Sequence, residues 1–375
     1  RDRLYTQMIV VIIMKIIHYL VVSLILMLIH TCSAQNLSLI GEWTYGATMD
    51  VFVKDGYLYG SFGGEVRIWN ATNESVLTVP PVGVAKVGAF IQAIWISKNT
   101  LYIAADDKLV IFDISDKSSP ILLSTLETPF SSGILKDIEV HGNYAYVSTS
   151  SGLWIVDVKD RANPVTISTL ALNGGWRLVV DSNYVYIGTY GDKKLHIIDV
   201  SDPHNPIEIG NWSCSHSISS IFVNTSRYGN YAFVVGYHNG IFILDISDKT
   251  NPIEISNVTG FNAADIKLLD NYAFVSVRYK GYRVIDISDP TNPVVIGDFE
   301  GEDTRRYNEG IFPTHDHVFV CSPTDGLGIW SYKNISNPVY HNRIVTTSCR
   351  EIYLHGNYVY CGGDKVFWVV NISNK

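Results

Sequence analysis

One phrase recurs along this chain often enough to fix the architecture before any single residue is weighed. It reads Ile-Asp-Ile/Val-Ser-Asp-x-x-Asn-Pro, and a Gly-Asn-Tyr-Ala-Tyr-Val phrase lies upstream of it. The best copies run Asp113 to Pro120, Asp157 to Pro164, Asp199 to Pro206, Asp245 to Pro252 and Asp286 to Pro293, with a worn copy from Tyr332 to Pro338. Aligned on the aromatic of the upstream phrase, eight copies fall at Tyr59, Tyr102, Tyr146, Tyr186, Phe233, Phe274, Phe319 and Tyr360. They span 301 residues with a mean period of 43. A period in the forties, built of short runs that alternate on a period of two, predicts the blade of a β-propeller.

Each copy divides into four strands. In the third these are Ile138 to Val140, Tyr144 to Ser148, Leu153 to Val158 and Val165 to Thr169. Gly142-Asn143, Ser151-Gly152 and Asp160 to Pro164 supply the turns, because Gly and Asn tolerate positive φ and Pro presets it. The last copy, from Glu351 to Lys375, holds only three strands. The missing fourth sits at the other end, where Asn36 to Trp43 reads like Asn205 to Trp212. The expectation is an all-β fold: an eight-bladed ring of four-stranded blades, closed by the N-terminal strand joining the last C-terminal blade, so that no edge is left between first and last blades.

The segment ahead of the ring reads as a secretory signal over residues 1–34. Met14-Lys15, the expected start, precedes the apolar run Ile16 to Ile29, and Thr31-Cys32-Ser33-Ala34 leads to cleavage before Gln35. Two alternatives stand beside it: an uncleaved anchor if translation includes Met8 to Ile13, and lipidation at Cys32, for which Ile29-His30-Thr31 is a poor match. Residues 35–375 are then the propeller domain, with no membrane span. Removing the signal takes the net charge from −8 to about −10. With no Lys/Arg cluster or aromatic-basic stripe, nucleic acid is excluded as a partner.

Cys214, Cys321, Cys349 and Cys361 remain after cleavage. Cys321 falls one step beyond the position of Cys361 on its second strand, so their side chains should face opposite ways. Cys214 and Cys349 belong to blades three steps apart. The expectation is therefore four free buried thiols, and neither a CxxC nor a His/Cys cluster suggests zinc. Eight Asn-x-Ser/Thr sequons, at Asn36, Asn70, Asn73, Asn211, Asn224, Asn257, Asn334 and Asn371, fit turn chemistry and also offer glycan acceptors.

Blocks such as Gly152-Leu153-Trp154-Ile155-Val156-Asp157-Val158, and Tyr282 to Pro293, each following an Asn-Tyr-Ala-Tyr/Phe-Val strand, resemble the LVIVD repeat of exported bacterial and archaeal proteins. The resemblance covers essentially all of the mature chain. It implies a propeller on an exported protein, often a surface or interaction module, with no established reaction. The first copy, Ile68 to Ser75, lacks the Asp and Pro pattern, and the seventh is worn.

Chemistry is sparse. The Asp pairs of the phrase, such as Asp113 with Asp116, look superficially like calcium-loop acids but lack the longer ligand run and its glycine, so turn capping is expected. No Gly-x-Ser-x-Gly, His-Glu-x-x-His or phosphate loop occurs. One set converges: the residue just before each innermost strand reads Asp50, Ala93, Asp137, Arg177, Ser220, Asp265, Gly310 and Glu351. Asp50, Asp137, Arg177, Asp265 and Glu351 are the candidate channel-mouth binding residues, able to hold a cation or act as an acid/base pair. The same groups can instead bond the backbone amides of neighbouring blades, the plainer reading, since Asp here belongs to the repeated phrase. Trp176, Arg305-Arg306-Tyr307 and Arg350 depart from the repeat nearby, and Asn224 to Gly229 is an insertion able to carry recognition.

Three functions follow as expectations. The first is a non-catalytic binding scaffold outside the cell, without cofactor or metal, whose partner is an extracellular protein or glycan. The second is a channel-mouth hydrolase or lyase acting on an extracellular polymer. The third is a structural subunit of a surface assembly.

Overall fold

The computed structural model describes residues 38–43, 50–70, 80–300, 310–322, 326–332, 334–345, 349, 351–363 and 367–372. The expected signal segment lies outside them, as do Leu37, Arg305-Arg306-Tyr307 and Arg350. No helix among the described residues is long and apolar enough to cross a membrane.

Among the described residues thirty-two strands, β1 to β32 in chain order, form eight four-stranded antiparallel sheets. Seven are simple meanders of four consecutive strands, whose innermost members are β2 (Val51–Lys54), β6 (Ile91–Ser97), β10 (Leu135–His141), β14 (Gly175–Asp181), β18 (Ile218–Val223), β22 (Ala263–Leu269) and β26 (Ile311–Pro313). The eighth has the order β1-β32-β31-β30. β1 (Ser38–Trp43) lies antiparallel to β32 (Phe367–Asn371), pairing Ser38 with Asn371 and Trp43 with Phe367. The innermost strand of each blade packs on that of the next, β2 through β6, β10, β14, β18, β22 and β26 to β30, and β30 returns to β2. The ring, its blade number and its latch are those the repeat predicts.

The third blade shows why these residues make these strands. β10 is Leu135–His141, β11 Tyr144–Thr149, β12 Gly152–Asp157 and β13 Val165–Ala171. The two middle strands are almost wholly buried, which suits their unbroken Val, Ile, Tyr and Trp runs. β13 on the outside is largely exposed and mixes Thr and Ser with apolar residues. Gly142 takes φ +61° in the first hairpin turn. Gly152 sits at φ +141°, where a Cβ would lie 2.1 Å from the Leu170 carbonyl oxygen, so only glycine fits.

Innermost strands start earlier than the alternation predicts. β10 begins at Leu135 rather than Ile138, and its pairing with β11 shifts register between Leu135 and Asp137. β6, β14, β18 and β22 carry the same irregularity. An extra residue bends the strand there and re-aims one side chain, and that kink hides the strand's first turn from a period-two reading.

The core lies between blades rather than within them. Eight buried apolar clusters each draw on two neighbours; one joins Tyr102 and Ile111 of the second blade to Val147 and Trp154 of the third. The next joins Tyr146 and Ile155 of the third blade to Val185 and Ile187 of the fourth. Alternation along a strand thus feeds successive side chains to opposite interfaces. The eighth cluster, between first and last blades, packs Val51, Leu58 and Trp69 on Tyr360 and Val369.

The turn phrase behaves as expected. Asp157 Oδ1 accepts the Lys159 amide at 2.8 Å, and Asp160 accepts the Ala162 amide and the Asn163 side chain. Equivalent bonds recur at Asp113, Asp116, Asp199, Asp245, Asp248, Asp286 and Asp289. Hydrogen bonds from the following Ser or Thr hold Asp113, Asp116, Asp245, Asp248 and Asp289 below the usual carboxylate range. Outer-strand serines also tie the second, third and fifth blades to the next blade's turn: Ser124 Oγ donates to the Arg161 carbonyl, Ser168 to Pro203 and Ser256 to Pro290.

The cysteine expectation is corrected. Cys321 and Cys349 form a disulfide between the seventh and eighth blades, with Cα atoms 4.9 Å apart, while Cys214 and Cys361 are free and buried. Cys321 and Cys361 do face opposite ways along their strands. In adjacent blades that brings both into one interface, with Phe319, Val359 and Trp368.

Candidate functional site

The structure places the channel residues on or beside the innermost strands, and most lie inside the strand rather than before it. Asp50 precedes β2 (Val51–Lys54) and Gly310 precedes β26 (Ile311–Pro313). Ala93, Asp137, Arg177, Ser220 and Asp265 sit within β6, β10, β14, β18 and β22, and Glu351 opens β30 (Glu351–His355). The Glu351 side chain lies outside what the structure describes. Asp50, Asp137 and Asp265 thus come from blades one, three and six, and no two of these are neighbours.

Their carboxylates reach along the ring. Asp50 Oδ1 accepts its own strand's Val51 amide and Oδ2 accepts Ile94 of the next blade, both at 2.8 Å. Asp137 repeats this, with Ile138 on Oδ1 at 3.0 Å and Leu178 on Oδ2 at 3.2 Å. The bulge supplies the reason: it leaves amides of the innermost strand without a ladder partner, and an acid on the preceding blade accepts them. Asp265 Oδ1 takes the Ser220 hydroxyl at 2.8 Å, and its Oδ2 stands 3.9 Å from Lys267 Nζ.

Sequence reading missed several partners in this belt. Glu139 accepts the Val180 amide at 3.2 Å, Ser148 donates to the Trp176 carbonyl at 2.7 Å, and Ser219 donates to the Ala264 carbonyl at 3.0 Å. Their signal was available, since each lies at a fixed offset from the aligned acid. Among these groups Asp137 has an altered titration. Protein packs densely around its half-buried carboxyl, and this burial pushes its pKa up to about 6, against the opposing pull of Arg177 and the Leu178 amide.

A second constellation lies on the face made by the blade-to-blade connections and the loops between middle strands. Hydrogen bonds from Ser150 to Ile134 and from Tyr190 to Gly174 knit these two loop sets together. Trp176, flagged as a departure from the repeat, is 42% exposed, and its ring centroid lies 6.5 Å from that of Tyr190, itself 60% exposed. Lys136 Nζ sits 5.4 Å from the Trp176 ring centroid, and burial holds its ammonium below the usual range. Ile134, two residues before Lys136, is 47% exposed. On the same face Arg278, buried, stacks 4.3 Å over Tyr237.

The insertion forms a short helix, α1 (Thr225–Tyr228), capped by the Asn224 side chain. It is tied down at both ends. Thr225 bonds Asp181 of the fourth blade, Arg227 stands 3.5 Å from Asp270 of the sixth, and Tyr228 packs edge-on against Phe222 and Phe233. Of the sequons, Asn211, Asn257 and Asn334 are exposed, Asn70 and Asn224 half-buried and Asn371 buried; Asn36 and Asn73 lie outside the described residues.

Solved structures share the fold. BamB from Moraxella catarrhalis is 12% identical, with a TM-score of 0.68 over 89% of this chain and 99% of that one. Sqt1 from Saccharomyces cerevisiae is 10% identical, with a TM-score of 0.71 over 88% and 96%. A computationally designed protein, Ika8, is 11% identical, with a TM-score of 0.68 over 88% and 97%. A search of curated proteins finds none that matches. The LVIVD repeat matches residues 91–128, 132–171, 175–213, 224–260, 261–300 and 348–375, skipping the first and seventh blades, whose phrase is worn. Those matches cover more than half of the sequence, and the chain belongs to the LVIVD repeat family.

Proposed function

We propose that this protein is an exported, non-catalytic binding scaffold that offers one loop face of the ring to an extracellular protein or glycan. The observation that carries this reading is the Ile134, Trp176, Tyr190 and Lys136 group. Exposed aromatics next to a cation, at the strand starts and loops on one face of a rigid ring, form a surface suited to recognition. The channel acids speak for scaffolding rather than catalysis, because both oxygens of Asp50 and of Asp137 take backbone amides of two blades. Export rests on the signal-like segment before Gln35.

A photo-crosslinking residue placed at Tyr190 in the native host tests the face, with the same residue at outer-strand Glu254 as control. Surface products from Tyr190 alone, weakened by Trp176→Ala, are expected. Equal products from both positions, or a chain retained in the cytosol with its first 34 residues intact, would refute the proposal. A second reading, a subunit of a surface assembly, draws support from exposed branched residues opening the outer strands, Ile121, Val165, Ile207, Ile253, Val294 and Val339. Concentration-dependent self-association in light scattering separates it from the first.

A further inference from the structure

Three sulfur atoms meet in the interface between the seventh and eighth blades. Cys321 comes from β27 (His317–Ser322), Cys349 from the segment entering the eighth blade, and Cys361 from β31 (Tyr358–Gly362). All three are fully buried, and their sulfurs lie within 4.8 Å of one another. Two of them form the disulfide and the third stands beside it as a thiol. The walls are apolar: Phe319, Leu327, Ile329, Val359, Trp368 and Val370. Cys214, in the interface between the fourth and fifth blades, has no such company.

We infer that, with the disulfide reduced, these three sulfurs form a soft-metal site that takes one Cu(I) ion, so that disulfide and metal are alternative occupants of one interface. Sulfurs around a single thiolate-bound ion stand about 4 Å apart, for metal–sulfur bonds of about 2.3 Å. The pair that is bonded has to part and the third sulfur has to close, both by side-chain rotation over roughly 1–2 Å. Zinc fits poorly, because a closed zinc site asks for four ligands and this group offers three, with no His, Asp or Glu joining it among the described residues. Soft thiolates favour Cu(I), which accepts two or three of them.

The chemistry balances in two steps. A phosphine and water reduce the disulfide to two thiols and become the phosphine oxide. Cu(I) then displaces a proton from each thiol it binds as thiolate, and no electrons change hands. Both states join the same two blades.

The test titrates the reduced chain anaerobically with Cu(I) buffered by a chromophoric chelator. One ion per chain is expected to leave the chelator, with a copper–thiolate absorption band in the ultraviolet, while the unreduced chain takes none. Cys361→Ser should weaken binding at least tenfold and Cys214→Ser should leave it unchanged. X-ray absorption on the wild-type complex requires no variant to fold and should report three sulfur neighbours. Two sulfurs, equal uptake by reduced and unreduced chains, Cys361→Ser binding as tightly as wild type, or dependence on Cys214 would each overturn the inference.

Discussion

Asp137→Asn is expected to remove a pH-dependent weakness from the ring. The wild-type carboxyl is pushed from an ordinary 3.8 up to about 6 by burial. An acid raised in this way favours the fold while protonated: its contribution is full below about pH 3.8 and is lost as pH rises through about 6. At about 1.36 kcal/mol per unit, the whole loss is on the order of 3 kcal/mol, of which roughly 2 falls between about pH 4.5 and 7.5. Asparagine does not titrate, keeps one acceptor oxygen for a backbone amide and leaves the other amide short, a pH-independent cost of about 1–3 kcal/mol. The variant should therefore be less stable than wild type at pH 4.5 and should regain ground by pH 7.5. For a domain this large that swing is worth roughly 3 °C in melting temperature. Paired calorimetric melts of wild type and variant across that range provide the assay. A difference that is flat with pH, or that grows in favour of wild type as pH rises, would refute the assignment of a buried, raised carboxyl. Asp113→Asn is the contrasting control: Ser115 holds that carboxyl below its usual range, so its contribution is present above about pH 3.8 and lost only as pH falls below it, and the difference from wild type should stay flat across this range.

Removing residues 1–43 takes away β1 and exposes β32, so the truncated chain should associate through that edge, seen as large species in light scattering while the intact chain stays uniform. Trp154→Ala empties a fully buried site and breaks the indole bond to Thr166, costing about 3–5 kcal/mol in chemical denaturation. Replacing Cys321 and Cys349 together by Ala opens a cross-link spanning 28 residues, with an expected loss under oxidising conditions about 3–4 kcal/mol greater than under reducing ones.

Most of the architecture was legible because the repeat states each element several times over. Strand β11 ended within one residue of its expected place, since its bounds are Gly-Asn and Ser-Gly turns with local causes. The innermost strands were less legible. Their bulges break the alternation that marks a strand, so the acid at each bulge read as a loop residue before it. The latch was readable because Asn36 to Trp43 matches a strand that the last copy lacks. The cysteines misled because facing was judged within one blade, whereas contact is decided between two. The Trp176 and Tyr190 pair escaped notice as a pair because one member opens an innermost strand and the other follows the next strand, 14 positions on, and only the fold brings the two rings together.

The closing blade also sets a timetable. Ser38 pairs with Asn371, so the ring's first strand finds its partner in the ring's last. Blades one to seven can assemble as each meander leaves the ribosome, each built from neighbours in sequence. The eighth blade must wait for β32 to be made, and until then the first blade's face toward it, with Leu58 and Trp69, has nothing to cover it. An unfinished chain is therefore an open arc with two sticky ends, and any stall in its synthesis leaves a species able to join a second arc in place of itself.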